Sequence, residues 1–180
     1  MSGRAPAEGA HEDAAKRSPA VTLSRVPTEA DLERMYDELA ARGASLVGRR
    51  APWPYAPESD EELVCLGAEM ARYDARLLGA LVEIGLARWA LLSPVAMRRC
   101  MRSMRAPQAA CVVVDFAREA SGDRELSHWA RHVTADVSRL EPAQHFFVDD
   151  VRPGERTASA RLGRSLSTYS RWGFIAVERP

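Results

Sequence analysis

One stretch of this chain, from Ser59 to Leu92, carries an apolar side chain at every step of an alternating three-and-four spacing. These apolar positions are Leu63, Leu66, Met70, Tyr73, Leu77, Ala80, Ile84, Ala87 and Leu91. Such a repeat lines one side of an α-helix with apolar side chains. Ser59 followed by Glu62 has the pattern of a capping box, which marks a helix start. The sequence therefore predicts one continuous helix over about 60–92.

The apolar seam of this helix needs a facing surface. A seam of about four heptads packs against another helix, which belongs either to the same chain or to a second copy. A protein partner or a homo-oligomer, such as a dimer, is therefore expected. The partner-binding residues that we predict on the seam are Leu63, Leu66, Met70, Tyr73 and Leu77.

Shorter helical patterns precede and follow the seam. Thr28 and Asp31 predict the start of a first helix, and Gly43 predicts its end. Ser93 and Pro94 have the pattern of a cap followed by a first-turn proline, and the helix that they open extends to Arg105.

Two further helices are predicted between residues 107 and 142. For 108–120, Pro107 in front and Gly122 behind favour a helix, although the valines at 112–114 keep a strand as the alternative. Asp123 predicts the start of the next helix, and Pro142 predicts its end.

The C-terminal part combines a predicted helix with two short apolar runs. Residues 157–170 favour a last helix, and the runs at 145–148 and 174–177 favour strands that pair with each other. The predicted fold class is therefore mainly α. It is a single-domain bundle of about six helices around the long helix at about 60–92, with a short C-terminal β-ribbon.

The chain begins with a segment of different composition. Residues 1–25 mix Ala, Gly, Pro, Ser and charges without a period, which predicts a flexible tail before a helical domain at 26–180. Residues 44–58 contain Trp53 and Tyr55 among several prolines. This stiff segment either lies across the core of its own domain with both aromatic rings buried, or presents them to a partner. Trp53 and Tyr55 therefore join the predicted partner-binding residues.

Composition bounds the remaining functional classes. The formal net charge is zero, so a binding partner attracted by charge requires a local patch. The first twenty residues lack the apolar core of a signal peptide, and the three cysteines form no CxxC pair, which favours an intracellular, cytoplasmic protein, or a nuclear one in a virus or eukaryote. Arg76, Glu83 and Arg88 interrupt the most apolar window, so we expect no membrane span.

Arginines form two clusters that suggest DNA binding as an alternative function. The first cluster, at 98–105, consists of Arg98, Arg99, Arg102 and Arg105, and the second, at 152–171, includes Arg156, Arg161, Arg164 and Arg171. The second cluster lies in a Ser/Thr/Arg-rich helical pattern before an aromatic strand, an order that resembles the recognition helix and first wing strand of winged-helix proteins. A solvated surface is the other interpretation of both clusters.

One pair of histidines has a spacing found in metal sites. His128 and His132 stand four residues apart on a predicted helix, with Asp136 on the same line, and His145 or Asp149 would have to supply a third ligand. On a helical wheel the pair lies away from the apolar side, so a solvated helix surface explains it as well. No phosphate-binding glycine loop and no nucleophile motif is present, and we predict no cofactor and no resident metal. The preferred function is non-enzymatic, an adaptor or regulator acting through protein contacts. DNA binding is the first alternative, and a metal-dependent enzyme centred on His128 and His132 is the second.

Overall fold

The structure, a computed structural model, describes residues 22–148, 165–176 and 180 of the chain. This part of the chain is mainly helical, as predicted, and adds one parallel pair of very short strands. The elements are α1 (Glu29–Ala40), α2 (Asp60–Met70), α3 (Ala75–Arg88), a 3₁₀ turn (Trp89–Leu91), α4 (Pro94–Met101), α5 (Pro107–Ser121), α6 (Arg124–Thr134), β1 (Gln144–His145), α7 (Ser167–Arg171) and β2 (Phe174–Ile175).

The ends of α1 follow the predicted caps. The Thr28 hydroxyl accepts a hydrogen bond from the N–H of Asp31, and the Asp31 carboxylate accepts one from the N–H of Thr28 at 2.8 Å. After the helix, the Ala44 N–H reaches the carbonyl of Leu39 at 3.1 Å, and Gly43 has a φ of 100°. This left-handed glycine followed by a 6→1 hydrogen bond is a Schellman motif. The predicted start and end of α1 are therefore both confirmed.

The predicted continuous helix over about 60–92 is wrong, because the chain breaks between Met70 and Ala75. Asp74 opens α3 as its N-cap, and its carboxylate accepts the N–H of Arg76 at 2.9 Å. A short side chain that bonds the backbone in this way competes with the helical hydrogen bonds. As a result α2 and α3 fold back and pack against each other, so that each buries its share of the seam inside the molecule.

Arg72 in this break joins the seam to the C-terminal segment. Its guanidinium donates to the carbonyls of Phe146 at 3.3 Å and His145 at 3.4 Å, and it lies over the Phe174 ring at 5.3 Å. The carbonyl of Arg72 accepts the N–H of Val148 at 2.8 Å. The break therefore leaves the Arg72 carbonyl and guanidinium available to bind the C-terminal segment. In an uninterrupted helix, that carbonyl would accept a hydrogen bond within the helix.

Helix α5 lies at the centre of the bundle, in contact with α2, α3, α6 and α7. Its residues Ala109 to Val114 are all buried, which explains the apolar run that left a strand open as an alternative. Pro107 begins the helix and Gly122, with a φ of 66°, ends it, as predicted. The valines at 112–114 are β-branched and have a low helix propensity. The free energy gained by burying their side chains outweighs that cost.

The C-terminal strands pair as predicted, although they are shorter than expected and parallel. Gln144 is paired with Phe174, and His145 with Ile175. Phe146, Phe174 and Tyr169 form a fully buried aromatic cluster. The ring centroid of Phe146 lies 5.1 Å from that of Phe174 and 5.1 Å from that of Tyr169. Strand β2 thus pairs with a strand that precedes α7, and Phe174 is buried.

Three boundaries differ from the predictions. Helix α4 ends at Met101 rather than at Arg105. Helix α6 ends at Thr134 rather than near Pro142. Order begins before residue 26, since Leu23 is buried and the Thr22 hydroxyl donates to the Ser103 carbonyl at 2.8 Å. The rest of the predicted tail, residues 1–21, lies outside the described residues, as does most of the predicted helix at 157–170. Among the described helices, none has the length and apolar character needed to cross a membrane.

Candidate binding surface on helix α4

Helix α4 is held firmly on one side. The Ser93 hydroxyl accepts the N–H of Ala96, and the Ser93 N–H donates to the buried Glu61 carboxylate at 2.7 Å, which fixes the helix start to α2. Met97 and Met101 are buried on the side that faces the bundle. The opposite side of α4 is therefore presented to solvent by a rigid support.

That opposite side combines apolar and basic residues. Leu91, just before the helix, is 70% exposed, and Val95 in its first turn is 69% exposed. Arg99 and Arg102 follow Val95 at spacings of four and seven, which places them on the same side of the helix. We refer to Leu91, Val95, Arg99 and Arg102 as the α4 outer surface. Two large aliphatic side chains left in water next to two cations are typical of a contact surface.

The charge on this surface is only partly compensated. Asp136 accepts hydrogen bonds from both Arg98 and Arg102, and these bonds, that of Arg98 first, lower the pKa of its carboxyl. Within the described residues, Arg99 and Arg105 pair with no carboxylate. On the α4 outer surface, Arg99 is therefore uncompensated, and Arg102 shares the Asp136 carboxylate with Arg98, which leaves a local excess of positive charge.

A cavity of about 150 Å³ lies beside the outer surface, between α4, the start of α5 and the end of α6. Its apolar lining is formed by Met101, Pro107, Val133 and Val137. Its polar edge is formed by Arg98, Arg102, Gln108, Asp136 and Ser138. The Gln108 amide donates to the Ser138 carbonyl at 2.9 Å, which holds the edge in place. A space of about 150 Å³ with an apolar lining accommodates a group the size of a benzene ring.

The structure places most of the predicted partner-binding residues in the core of the domain. Leu63, Leu66, Met70 and Leu77 are each 0% exposed, and Tyr73 is half-buried. In this fold they contact other helices of the same chain, because the break after Met70 lets the chain supply its own facing surfaces. They are therefore not available for a partner on the surface of this fold.

The aromatic pair in the proline-rich segment also packs on its own domain. Tyr55 is buried and Trp53 is partly buried, with their rings edge to face at 5.7 Å. The guanidinium of Arg34 in α1 lies over the Trp53 ring at 5.7 Å. Of the two interpretations left open by the sequence, the structure therefore has the segment lying across the core.

The end of the predicted seam is exposed. Ala87, near the end of α3, and Leu91, in the 3₁₀ turn that follows it, are both exposed. Tighter winding rotates the following side chains out of the seam. Val95 was outside every predicted site. Met97 and Met101 mark the apolar side of α4, and only the position of Val95 away from that side could have predicted its exposure.

The histidine pair does not form a metal site among the described residues. His128 and His132 are both exposed on α6, and Arg131 contacts the His128 ring at 3.3 Å. Asp136 is occupied by arginines, and no group of three or more His, Cys, Asp or Glu side chains in the described ranges could hold a metal ion. Asp149 lies outside those ranges.

The second arginine cluster is described only at its end. Arg156, Arg161 and Arg164 lie outside the described residues. Arg171 donates to the buried carboxylate of Asp115 at 2.8 Å, and the indole N–H of Trp172 donates to the same carboxylate at 2.9 Å. Arg171 is thus engaged in an internal contact between α5 and α7.

Neither a model of a protein family, nor a curated protein, nor a solved structure matches this chain significantly.

Proposed function

We propose that this domain is a non-enzymatic interaction module that binds an acidic, amphipathic segment of another protein along the α4 outer surface. The observation that supports the proposal is the exposure of Val95, Arg99 and Arg102 on one side of α4, whose other side is buried, together with the exposed Leu91 just before the helix. The preference for a protein contact made from the sequence is kept, but its location moves from the seam to the outer side of α4.

The apolar residues supply most of the expected affinity. Covering an exposed leucine or valine side chain contributes about 1.5–3 kcal/mol, whereas an exposed ion pair contributes about 0–1 kcal/mol. Leu91 and Val95 therefore determine whether a segment binds. Arg99 and Arg102 select acidic segments and accelerate the encounter. The adjacent cavity suits one large apolar side chain of the bound segment.

The partner is expected to be a different protein rather than a second copy. In a two-fold dimer the same patch meets itself, so that Arg99 and Arg102 would face the arginines of the other copy. Like charges at an interface disfavour that arrangement. An acidic segment instead offers carboxylates to the arginines and an apolar side chain to Val95.

The DNA-binding alternative has weaker support on the same surface. Leu91 and Val95, which would abut a charged phosphate backbone, would gain nothing from it. Nucleic acid is therefore an outcome to be tested, and no described residue favours the metal-dependent alternative.

Selection from a displayed library of random short peptides tests the proposal. Peptides selected on the wild-type domain, with counter-selection on the double variant Val95→Asp/Arg99→Glu, should be enriched in Asp and Glu together with Leu, Phe or Trp. Retention of a short DNA duplex and the oligomeric state should be measured on the same preparation. Peptides without acidic enrichment, binding that the double variant retains, salt-dependent retention of the duplex, or a dimer dissociated by Val95→Asp would each overturn the proposal.

A further inference from the structure

A cavity of about 120 Å³ lies where three segments of the chain meet, and it shares no described lining residue with the cavity beside α4. The segments are the one before α1, the break after α2 and the one after α4. Each contributes one arginine to the lining, and these are Arg25, Arg72 and Arg105. Glu69 and Tyr73 also line the cavity. At about 30 Å³ per water molecule, its volume equals that of about four waters, which is enough for one small oxyanion.

The carboxylate of Glu69 is already bound by backbone groups. Its oxygens accept the N–H of Arg105 at 2.7 Å and that of Leu23 at 2.8 Å, and the N–H of Ala106 lies 3.4 Å from it. Glu69 is therefore satisfied by backbone donors. The guanidinium groups around the cavity remain available for another anion.

Cations outnumber anions around this cavity. Arg25 pairs with the Asp31 carboxylate at 2.8 Å. The Arg105 side chain is exposed, and within the described ranges its guanidinium donates only to the Ser24 carbonyl, at 3.5 Å, which is a weak contact. Three arginines thus stand against the two carboxylates of Glu69 and Asp31, which leaves an excess of one positive charge.

Arg72 is the cation for which an anionic ligand matters most. It is half-buried, and within the described ranges it donates only to carbonyls, that of Phe146 at 3.3 Å and that of His145 at 3.4 Å. Burial is the largest effect on the pKa of its guanidinium and lowers it, despite the nearby Glu69. Cations removed from water in this way are normally paired with an anion. A guanidinium has further N–H groups that can donate to a ligand in the cavity.

We propose that this cavity binds one phosphate group, either as inorganic phosphate or as part of a small phosphomonoester. Arg72 and Arg105 donate to its oxygens, since the planar guanidinium matches two oxygens of a phosphate. The hydroxyl of Tyr73 supplies a further donor. The bound phosphate offsets the excess positive charge and compensates the burial of Arg72. None of these residues belongs to the α4 outer surface, so the site is independent of the binding function proposed above.

Isothermal titration of the full chain with sodium phosphate tests the site, with the ionic strength held constant by sodium chloride. The wild type should show saturable binding to a single site. Arg105→Gln removes an exposed guanidinium but keeps the backbone bond to Glu69, and it should weaken binding by about tenfold. The matched control Arg124→Gln removes an exposed arginine of α6 outside the cavity and should leave the affinity unchanged. Glycerol phosphate distinguishes the sources, because tighter binding than that of inorganic phosphate indicates a monoester and weaker binding indicates the free ion.

A nitrogen-correlated NMR spectrum of the wild type, recorded during the same titration, locates the site without any variant. The amide signals of Leu23, Tyr73 and Ala106 should shift, and that of Arg124 should not. The proposal is overturned by the absence of saturable binding of either phosphate, by equal affinities of Arg105→Gln and the wild type, or by equal weakening in Arg124→Gln. Shifts confined to other parts of the chain also contradict it. If Arg105→Gln does not fold, as circular dichroism would show, the spectrum of the wild type decides.

Discussion

The buried carboxylate of Glu69 accepts the backbone N–H of Arg105 at 2.7 Å and so ties the segment after α4 to α2. The same carboxylate accepts the N–H of Leu23 at 2.8 Å and, more weakly, that of Ala106. With 4% exposure, Glu69 is satisfied largely by backbone donors. This residue holds the C-terminal end of the helix that carries the proposed binding surface, and it anchors the N-terminal segment at the same point.

Replacing Glu69 with Ala should lower the free energy of unfolding by about 3 kcal/mol, since buried backbone N–H groups would lose their acceptor. Glu69→Gln retains an acceptor oxygen and should cost less. Urea unfolding followed by circular dichroism measures both. The exposed Glu125→Ala serves as a control and should change the value by less than about 0.5 kcal/mol. Equal effects of Glu69→Ala and Glu125→Ala would show that this carboxylate is not a structural anchor.

Gly48 allows the proline-rich segment to lie directly on α1. A Cβ at this position would lie 2.0 Å from the backbone nitrogen of Asp37, so Gly48→Ala must displace the segment from the helix. A loss of about 1–3 kcal/mol, typical of overpacking, is expected. Gly79 in α3 has no neighbour closer than 3.8 Å, and Gly79→Ala should stabilise the protein by up to about 1 kcal/mol through helix propensity. Thermal unfolding of the two variants in parallel tests the contrast, and a neutral Gly48→Ala would contradict the close packing.

The Asp60 carboxylate should make the free energy of unfolding depend on pH in the acidic range. Hydrogen bonds from Arg42 at 2.6 Å and Arg88 at 3.1 Å, with that of Arg42 the largest cause, lower the pKa of its carboxyl in the folded state. A lowered folded pKa contributes stability that is present above the unfolded value of about 3.9 and is lost as the pH falls through the folded value. Asp60→Asn should therefore be less stable at pH 7. Its unfolding free energy should also decline less steeply below about pH 4. Parallel acid profiles for the variant and the wild type would contradict this role.

Local signals in the sequence identified the starts of α1, α4 and α6 correctly. The caps at Thr28, Ser93 and Asp123 act within one turn, so the residues that decide them are neighbours in the chain. The break at Asp74 was missed because Tyr73 and Leu77 keep the apolar spacing across it. The C-terminal segment contacts Arg72 in this break, and contacts between distant residues are invisible to periodicity.

The candidate surface was harder to predict than the fold. An apolar seam shows that a side chain is covered but not by what, and here the chain covers Leu63 and Leu66 itself. The exposure of Val95 depends on how α4 is oriented on the bundle. The hydrogen bond from the Arg105 N–H to Glu69 also joins distant segments, and Glu69 carried no local signal in the sequence.

The affinity of a selected acidic peptide for paired surface variants tests the proposed function most directly. The test variant is Val95→Asp on the α4 outer surface. Its matched control is Val47→Asp, which replaces a valine that is 92% exposed in the proline-rich segment. Both changes should leave the fold intact, because neither side chain is packed. Isothermal titration should show that Val95→Asp weakens binding by about tenfold or more, a loss of at least about 1.4 kcal/mol, while Val47→Asp leaves the affinity unchanged. Equal affinities for the two variants would contradict the assignment of the binding site to α4.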